Sequence, residues 1–265
     1  MAYPLRNYIK FADIKDELPK LSENTFDLVV TSPPYAGKRG DSYDSIPAHE
    51  YSSWLFKWTC EFLEVTKPTG SVVINVKEGV EKGLRQTYLL EYLLKMAKRG
   101  YWAETYIWVK TNPFPTGNKR RLKDAFEYCF HFAKGKTFKF FPENCLVPSD
   151  PKWVEDNKRR KNKGEHNTNN QSGMNMSVRT CSDMSRPSNV IVCPTNTINI
   201  GHPATFHINI PKFFINLMTE KGDFVYDPFM GSGTTAMACK ELERDYYGTD
   251  NNQEYVDMSN ERLRQ

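Results

Sequence analysis

Cysteine is scarce and without pattern in this chain of 265 residues. Cys60, Cys129, Cys145, Cys181, Cys193 and Cys239 include no Cys-x-x-Cys pair. Their spacings suit no zinc site, and they read as reduced cytoplasmic thiols that mostly pack. Histidine adds no ligand pattern, since His49, His131, His166 and His207 are scattered. No metal site is expected. Long apolar runs are absent, which excludes a membrane-spanning helix. Met1-Ala2-Tyr3-Pro4-Leu5-Arg6 has neither the apolar stretch nor the cleavage site of a signal peptide. A strong charge excess is missing too: 36 basic residues face 32 acidic ones, a net +4.

What is present is more telling. Apolar residues make up 39% and aromatics 13%, enough to bury a core. The length suits one large α/β domain, or one domain carrying a sizeable insertion. The charge is uneven, with 14 basic and 7 acidic residues between Lys110 and Glu165. The remainder, 22 basic against 25 acidic, is slightly acidic. A basic stretch on an acidic body points to an anionic polymer as partner.

The pattern predicts strands at Tyr8–Asp13, Phe26–Thr31, Ser71–Val76, Ala103–Val109, Ala125–Phe132, Phe224–Asp227 and Tyr246–Thr249. Helices are expected at Lys15–Leu21, His49–Val65, Leu84–Lys98, Pro211–Thr219 and Thr234–Leu242, with one more at the end. Pro68-Thr69-Gly70 reads as a turn, and the polar, asparagine-rich stretch from Asn157 to Ser177 as a mobile loop. Strands alternate with helices, so the class is α/β with a mostly parallel sheet.

Two turns carry chemistry. In Asp223–Thr235 a strand runs into a glycine turn and a helix start. Glycines admit a ligand close to the backbone, and a helix N-terminus favours an anionic group. No Lys-Ser/Thr follows, so this is not a Walker A loop. Asp250, 23 residues beyond Asp227, ends the next strand and is placed to accept from ribose hydroxyls. A lone Gly-x-Gly would read as an ordinary turn. With Asp227, Thr234, Thr235 and Asp250 attached, it reads as a site for an adenosine-containing cofactor.

The second turn is Ser32-Pro33-Pro34-Tyr35, at the carboxyl end of a buried strand. Two prolines fix the backbone and offer carbonyls without competing N–H groups. The Ser32 hydroxyl and Pro33 carbonyl form an acceptor edge beside an aromatic plate, Tyr35. Such acceptors can hold both hydrogens of an aromatic amine and stabilise the positive charge it develops on attack. Tyr35 can stack on a base lifted from its duplex.

Together the turns resemble the S-adenosylmethionine-dependent amino-methyltransferases that modify exocyclic amines of DNA bases. Asp227–Thr235 looks like the family's cofactor motif and Thr31–Tyr35 like its catalytic motif. The order, catalytic motif first, is that of the beta group. Pro68–Asn75, Trp108–Pro113, Phe126-Glu127-Tyr128, His202–Phe206 and Gly248-Thr249-Asp250 resemble secondary motifs. The resemblance implies a Rossmann-like methyltransferase fold, with a mostly parallel sheet, an antiparallel strand, circularly permuted motif order and a variable recognition insertion. Residues 1–140 would form the catalytic half, 141–200 the target-recognition region and 201–265 the cofactor half. Ser32, Pro33, Pro34 and Tyr35 are the implied catalytic residues. Asp13, Thr31, Asp227, Pro228, Phe229, Gly231, Ser232, Gly233, Thr234 and Asp250 are the implied cofactor residues. At Asp13 the family often has Gly-Asp, where this chain has Ala12-Asp13.

The recognition gap coincides with the asparagine-rich stretch. Lys158, Arg159 and Arg160 would neutralise phosphates, and Gln171, Asn175 and Arg179 are candidates for reading base edges. Lys38 and Arg39, just past the catalytic turn, are placed to hold phosphates around the extruded base. Within the resemblance, Ser at the first motif position implies the N4 amine of cytosine. The alternatives are adenine N6 methylation, an RNA substrate, a non-catalytic DNA-binding subunit and a nicotinamide oxidoreductase. Expected partners are double-stranded DNA and a cognate restriction endonuclease, with no membrane, for a cytoplasmic monomer or homodimer.

Overall fold

Every residue of Phe26–Thr31 is buried, which requires cover on both faces of its sheet. That cover is drawn from distant parts of the chain. The structure, a computed structural model, describes residues 5–37, 46–115, 119–162, 183–195 and 206–265. Two compact units form: Met1–Phe141 with Asn189–Gln265, and Pro142–Ser188.

The first unit is built on an eight-stranded sheet. Numbered along the chain, its strands are β1 (Tyr8–Phe11), β2 (Phe26–Thr31), β3 (Thr66–Val76), β4 (Trp102–Lys110), β5 (Phe126–Phe132), β6 (Val190–Cys193), β7 (Phe224–Asp227) and β8 (Asp245–Asp250). Their spatial order is β1-β8-β7-β2-β3-β5-β4-β6. Only β5 runs antiparallel to its neighbours; the other pairings are parallel. The helices are α1 (Ile14–Glu17), α2 (Ala48–Val65), α3 (Tyr88–Lys98), α4 (Pro151–Asn162), α5 (Asn209–Met218), α6 (Thr234–Glu241) and α7 (Gln253–Arg264). Helix α4 belongs to the second unit. No helix among the described residues is long and apolar enough to cross a membrane.

β7, late in the chain, pairs with β2, early in the chain, Val225 opposite Leu28 and Tyr226 opposite Val29. From β7 the chain crosses through α6 to β8 on one side. From β2 it crosses through α2 to β3 on the other. The β7–β2 boundary is therefore a switch point, and a crevice opens there beyond the carboxyl ends of the strands. Aromatic rings tie these strands together. Phe26 stacks on Tyr226 at 4.8 Å and Tyr226 on Tyr247 at 5.6 Å, each pair adding roughly 0.5–1.5 kcal/mol beyond area burial.

Several local expectations shift. Helix α3 begins at Tyr88, not Leu84, because Val80–Glu81 and Leu84–Arg85 form a hairpin. Its turn residues, Lys82 and Gly83, both take positive φ, the requirement of a tight two-residue hairpin. Pro68-Thr69-Gly70 lies inside β3 as an irregularity in the β2 pairing rather than before the strand. Val190–Cys193, unassigned from sequence, pairs parallel to β4 as the edge strand. The stretch from Asn157 through Asn162 is helical, the end of α4; residues 163–182 lie outside the described residues.

At the opposite end of β2 from the switch point, Asp27 is buried. It accepts from Lys67 Nζ at 2.7 Å, Lys139 Nζ at 3.1 Å and the Phe224 N–H at 3.0 Å. Burial works to raise its pKa, but these bonds outweigh burial and hold the carboxyl below its usual range. Asp27→Asn should lower the unfolding free energy by about 2 kcal/mol near neutral pH. With the folded pKa below the unfolded one, that contribution is present above about pH 4 and lost as pH falls through the folded value. Denaturant titrations should therefore show the gap between parent and variant closing in acid.

Candidate active site

Thr31 ends β2 and Asp227 ends β7, so adjacent parallel strands bring them side by side at the switch point. The Thr31 hydroxyl donates to Asp227 Oδ1 at 2.6 Å, and the Phe229 N–H donates to the same oxygen at 3.0 Å. Thr235 Oγ1, in the first turn of α6, donates to Oδ2 at 2.5 Å. One carboxylate thus joins the catalytic strand, the glycine turn and the helix behind it. Asp227 is 1% exposed. Burial pushes its pKa up to about 6 against the three donated bonds.

The turn beyond Asp227 is tightly braced. The Met230 N–H donates to the Thr249 carbonyl at 2.9 Å. The Gly231 N–H donates to Asp250 Oδ2 at 2.8 Å, and the Asn252 N–H to Asp250 Oδ1 at 2.9 Å. From α7, Ser259 Oγ donates to the Gly231 carbonyl at 2.6 Å, and Arg262 donates to the Ser232 carbonyl. Gly233 sits at φ +80°, and a Cβ there would lie 3.0 Å from Ser259 Cβ. Gly248 is needed for another reason: a Cβ on it would lie 2.3 Å from Met230 Cε. Burial raises the Asp250 pKa, opposed by its two backbone bonds.

Asp250 therefore shapes the turn, which sequence reasoning did not anticipate. Asp13 reaches the same sheet edge: the Ala12 N–H donates to the Asp250 carbonyl at 3.0 Å, and Asp13 caps α1 by accepting from the Lys15 N–H at 2.9 Å. Among the described residues, the buried Thr234 hydroxyl at the start of α6 has no hydrogen-bond partner. The first N–H groups of that helix lack intrahelical acceptors as well. An orphaned hydroxyl and open N–H groups over a glycine turn suit a polar, adenosine-bearing cofactor.

The Ser32–Tyr35 turn follows Thr31 directly and is held from two sides. From α2, Tyr51 donates its hydroxyl to the Pro34 carbonyl at 2.8 Å. From β5, Glu127 Oε2 accepts from the Tyr35 hydroxyl at 2.7 Å. Glu127 is itself buried and takes Lys110 Nζ on its other oxygen at 2.5 Å. Burial first, then the Glu127 charge, push the Tyr35 pKa far up, so the phenol stays neutral and donates.

Glu127 is the functional-site residue that sequence reasoning missed. It was noted only inside Phe126-Glu127-Tyr128; an acid flanked by aromatics on a buried strand was the available signal. Of the residues expected to meet DNA, Lys158 pairs with Asp183 at 3.7 Å and Arg159 with Asp156 at 3.4 Å, both in the second unit. The side chain of Arg160 lies outside the described residues, as do Lys38, Arg39, Gln171, Asn175, Arg179 and the segment 202–205.

A DNA methylase family model matches residues 26–261. The chain belongs to that family. It is 32% identical to the orphan methyltransferase M.BamHII of Bacillus amyloliquefaciens, over 92% of this chain and 91% of that protein. It is 28% identical to the type II methyltransferase M.PvuII of Proteus hauseri, over 93% of this chain and 80% of that one. The solved PvuII cytosine-N4-specific DNA methyltransferase superposes with a TM-score of 0.74 at 26% identity, covering 96% of this chain and 85% of that one. M1.HpyAVI in its SAM complex shares the fold, with a TM-score of 0.58 at 23% identity over 96% of this chain and 98% of that one. This DNA methylase is thus a DNA methyltransferase.

The methylase should show an unusual pH response at Asp227. Its folded pKa of about 6 lies above the unfolded value, so folding takes up a proton between about pH 4 and pH 6. The ionised carboxylate costs stability above that window, and the cost is relieved as pH falls. Against Asp227→Asn, the parent should therefore gain relative stability in acid, opposite to Asp27. Chemical denaturation of both proteins at pH 4.5 and pH 7 reads the difference.

Proposed function

We propose that the methylase modifies the N4 amine of cytosine in duplex DNA, at a base extruded from the helix, in the manner of a type II modification enzyme. The observation that carries this reading is the placement of the Ser32–Tyr35 turn: Thr31, bonded to Asp227, sets it beside the glycine turn, and Tyr35 anchors it on the buried Glu127. A neutral hydroxyl is a weaker acceptor than a carboxylate. The buried Glu127 charge lies one side chain behind the turn, bonded to Tyr35, where it would favour the positive charge building on the amine while remaining out of contact with the base. The similar PvuII structure carries the cytosine-N4-specific description, which supports the same amine here.

Ser32 Oγ and the Pro33 carbonyl would each accept one hydrogen of the amine, drawing the nitrogen towards tetrahedral geometry. S-adenosylmethionine supplies an electrophilic methyl group on a sulfonium. Ser32 and Pro33 would aim the amine nitrogen at that methyl group, so that the N–C bond would form as the S–C bond broke, and the acceptor edge would pass the surplus amine proton to solvent. The acceptor edge stabilises the charge that builds on nitrogen during attack, and positioning supplies much of the remaining rate. Asp250 and Asp13 would accept from the cofactor's ribose and adenine, with Gly231, Ser232, Gly233 and Thr234 lining the path between. Tyr35 would stack on the base. The unit 142–188 would contribute target recognition.

Purified protein incubated with labelled cofactor and duplex DNA should yield N4-methylcytosine on nucleoside digestion and mass spectrometry. N6-methyladenine as sole product would assign the adenine reading instead. Ser32→Ala should lower kcat by about 100-fold with cofactor affinity nearly intact. Glu127→Gln keeps an acceptor for Tyr35 but removes the charge, and should lower kcat roughly tenfold without changing the cofactor Kd. A parallel loss of cofactor affinity in that variant would make Glu127 a folding residue.

A further inference from the structure

The loop between β4 and β5 combines features that neither the sheet nor the active site uses. Its two feet are fixed. The Lys110 N–H donates to the Ala125 carbonyl at 2.7 Å, and Asn112 Oδ1 accepts from the Thr195 N–H at 2.6 Å. Asp124 is held between Lys77 at 2.9 Å and Arg85 at 2.8 Å. Beyond these anchors Leu122 is 91% exposed and Phe114 73% exposed. Lys119 and Lys123 are exposed and Arg121 is half-buried. Asp124 is the only acid in the sequence from Pro113 to Ala125. Two cations from outside the loop already answer it, so it does not offset the loop's own positive charge.

Topology puts this loop at the catalytic edge. β5 is antiparallel to both β3 and β4, so β4 runs in the direction of β2 and β3. Its carboxyl end therefore lies at the same edge as the Ser32–Tyr35 turn. Glu127, bonded to Tyr35, is five residues from Leu122, a chain span of at most about 17 Å.

We propose that residues 119–123 of this loop form a duplex-DNA docking element. Its cations hold phosphates that flank the target base, and Leu122 inserts into the base stack as the target leaves it. A single exposed leucine needs no explanation. One set among Lys119, Arg121 and Lys123 does, and a duplex answers both: phosphates neutralise the three cations, and base faces cover the apolar side chain. The inference rests on the DNA-methylation reading of the active site.

The test begins with the parent protein, whose methylated site is mapped by sequencing genomic DNA treated with it and cofactor. No methylation at that stage would overturn the functional reading before the loop is addressed. Leu122→Ala is then compared with the parent on an oligonucleotide duplex bearing the mapped site. The variant should bind that duplex within about twofold of the parent yet methylate it roughly tenfold more slowly. A mismatch opposite the target, which makes extrusion easy, should restore most of the rate. An unchanged rate on the paired duplex, or a slow rate that the mismatch fails to restore, overturns the wedge role. The combined Lys119→Gln, Arg121→Gln and Lys123→Gln variant should reduce the slope of log affinity against log salt by about 2.7. An unchanged slope overturns the phosphate contacts. Thermal melting and cofactor affinity equal to the parent's establish that these surface variants are folded.

Discussion

The hydrogen bonds around the Asp227 carboxylate are the constraint on which the site depends. Thr31 and Asp227 are 196 residues apart in sequence yet bonded directly. A buried carboxylate left without donors would cost several kcal/mol. The donors available are Thr31 at the end of β2, the Phe229 N–H in the turn and Thr235 in α6. Satisfying one buried charge therefore sets the register between the turn that would present an amine and the turn that would present a methyl donor. Positioning of two reactants is worth many orders of magnitude in rate. Here it is anchored by a group that would touch neither reactant.

Other acids repeat this logic at different places and with different electrostatic results. Asp27, at the far end of β2, meets two lysines and its pKa falls. Asp227 meets only neutral donors and its pKa rises. The contrast follows from the deeper burial of Asp227, with the Asp250 carboxylate nearby, against the lysine partners of Asp27. Glu127 meets a lysine on one oxygen and a phenol on the other. The lysine holds the charge in place, while the phenol ties it to the Ser32–Tyr35 turn. An acid one side chain behind that turn would support an acceptor edge while leaving room at Ser32 for the base.

Much of this was legible in the sequence, for physical reasons. β2 and β7 are short, uniformly buried strands bounded by proline or glycine turns, and their limits were read correctly. The two functional turns combine residue types rarely needed for packing alone. β6 escaped because four residues with alternating burial are too few to establish a period. The Lys82-Gly83 hairpin escaped because its strands are two residues each, and their leucine fitted the helical period that follows. α4 escaped because it is polar on nearly every face, so no apolar stripe marks it; its start is instead secured by Asp150, which accepts from the Lys152 N–H at 2.8 Å. Glu127 could not be singled out, since its role comes from β5 lying close enough to the catalytic turn for its side chain to reach Tyr35, a tertiary fact.

The uneven charge noticed first also acquires structure. The basic stretch between Lys110 and Glu165 is not one patch. Lys110 is consumed by Glu127 and Lys139 by Asp27 and Asp223, both inside the first unit. Lys158 and Arg159 have acidic partners within the second. Lys119, Arg121 and Lys123 of the β4–β5 loop differ, because the one acid nearby, Asp124, is bound from outside the loop. A net charge over a window counts all these residues equally, but only charge left without a counter-ion draws phosphate. On that criterion these three residues would draw phosphate, and they follow β4 at the edge where the amine would be presented.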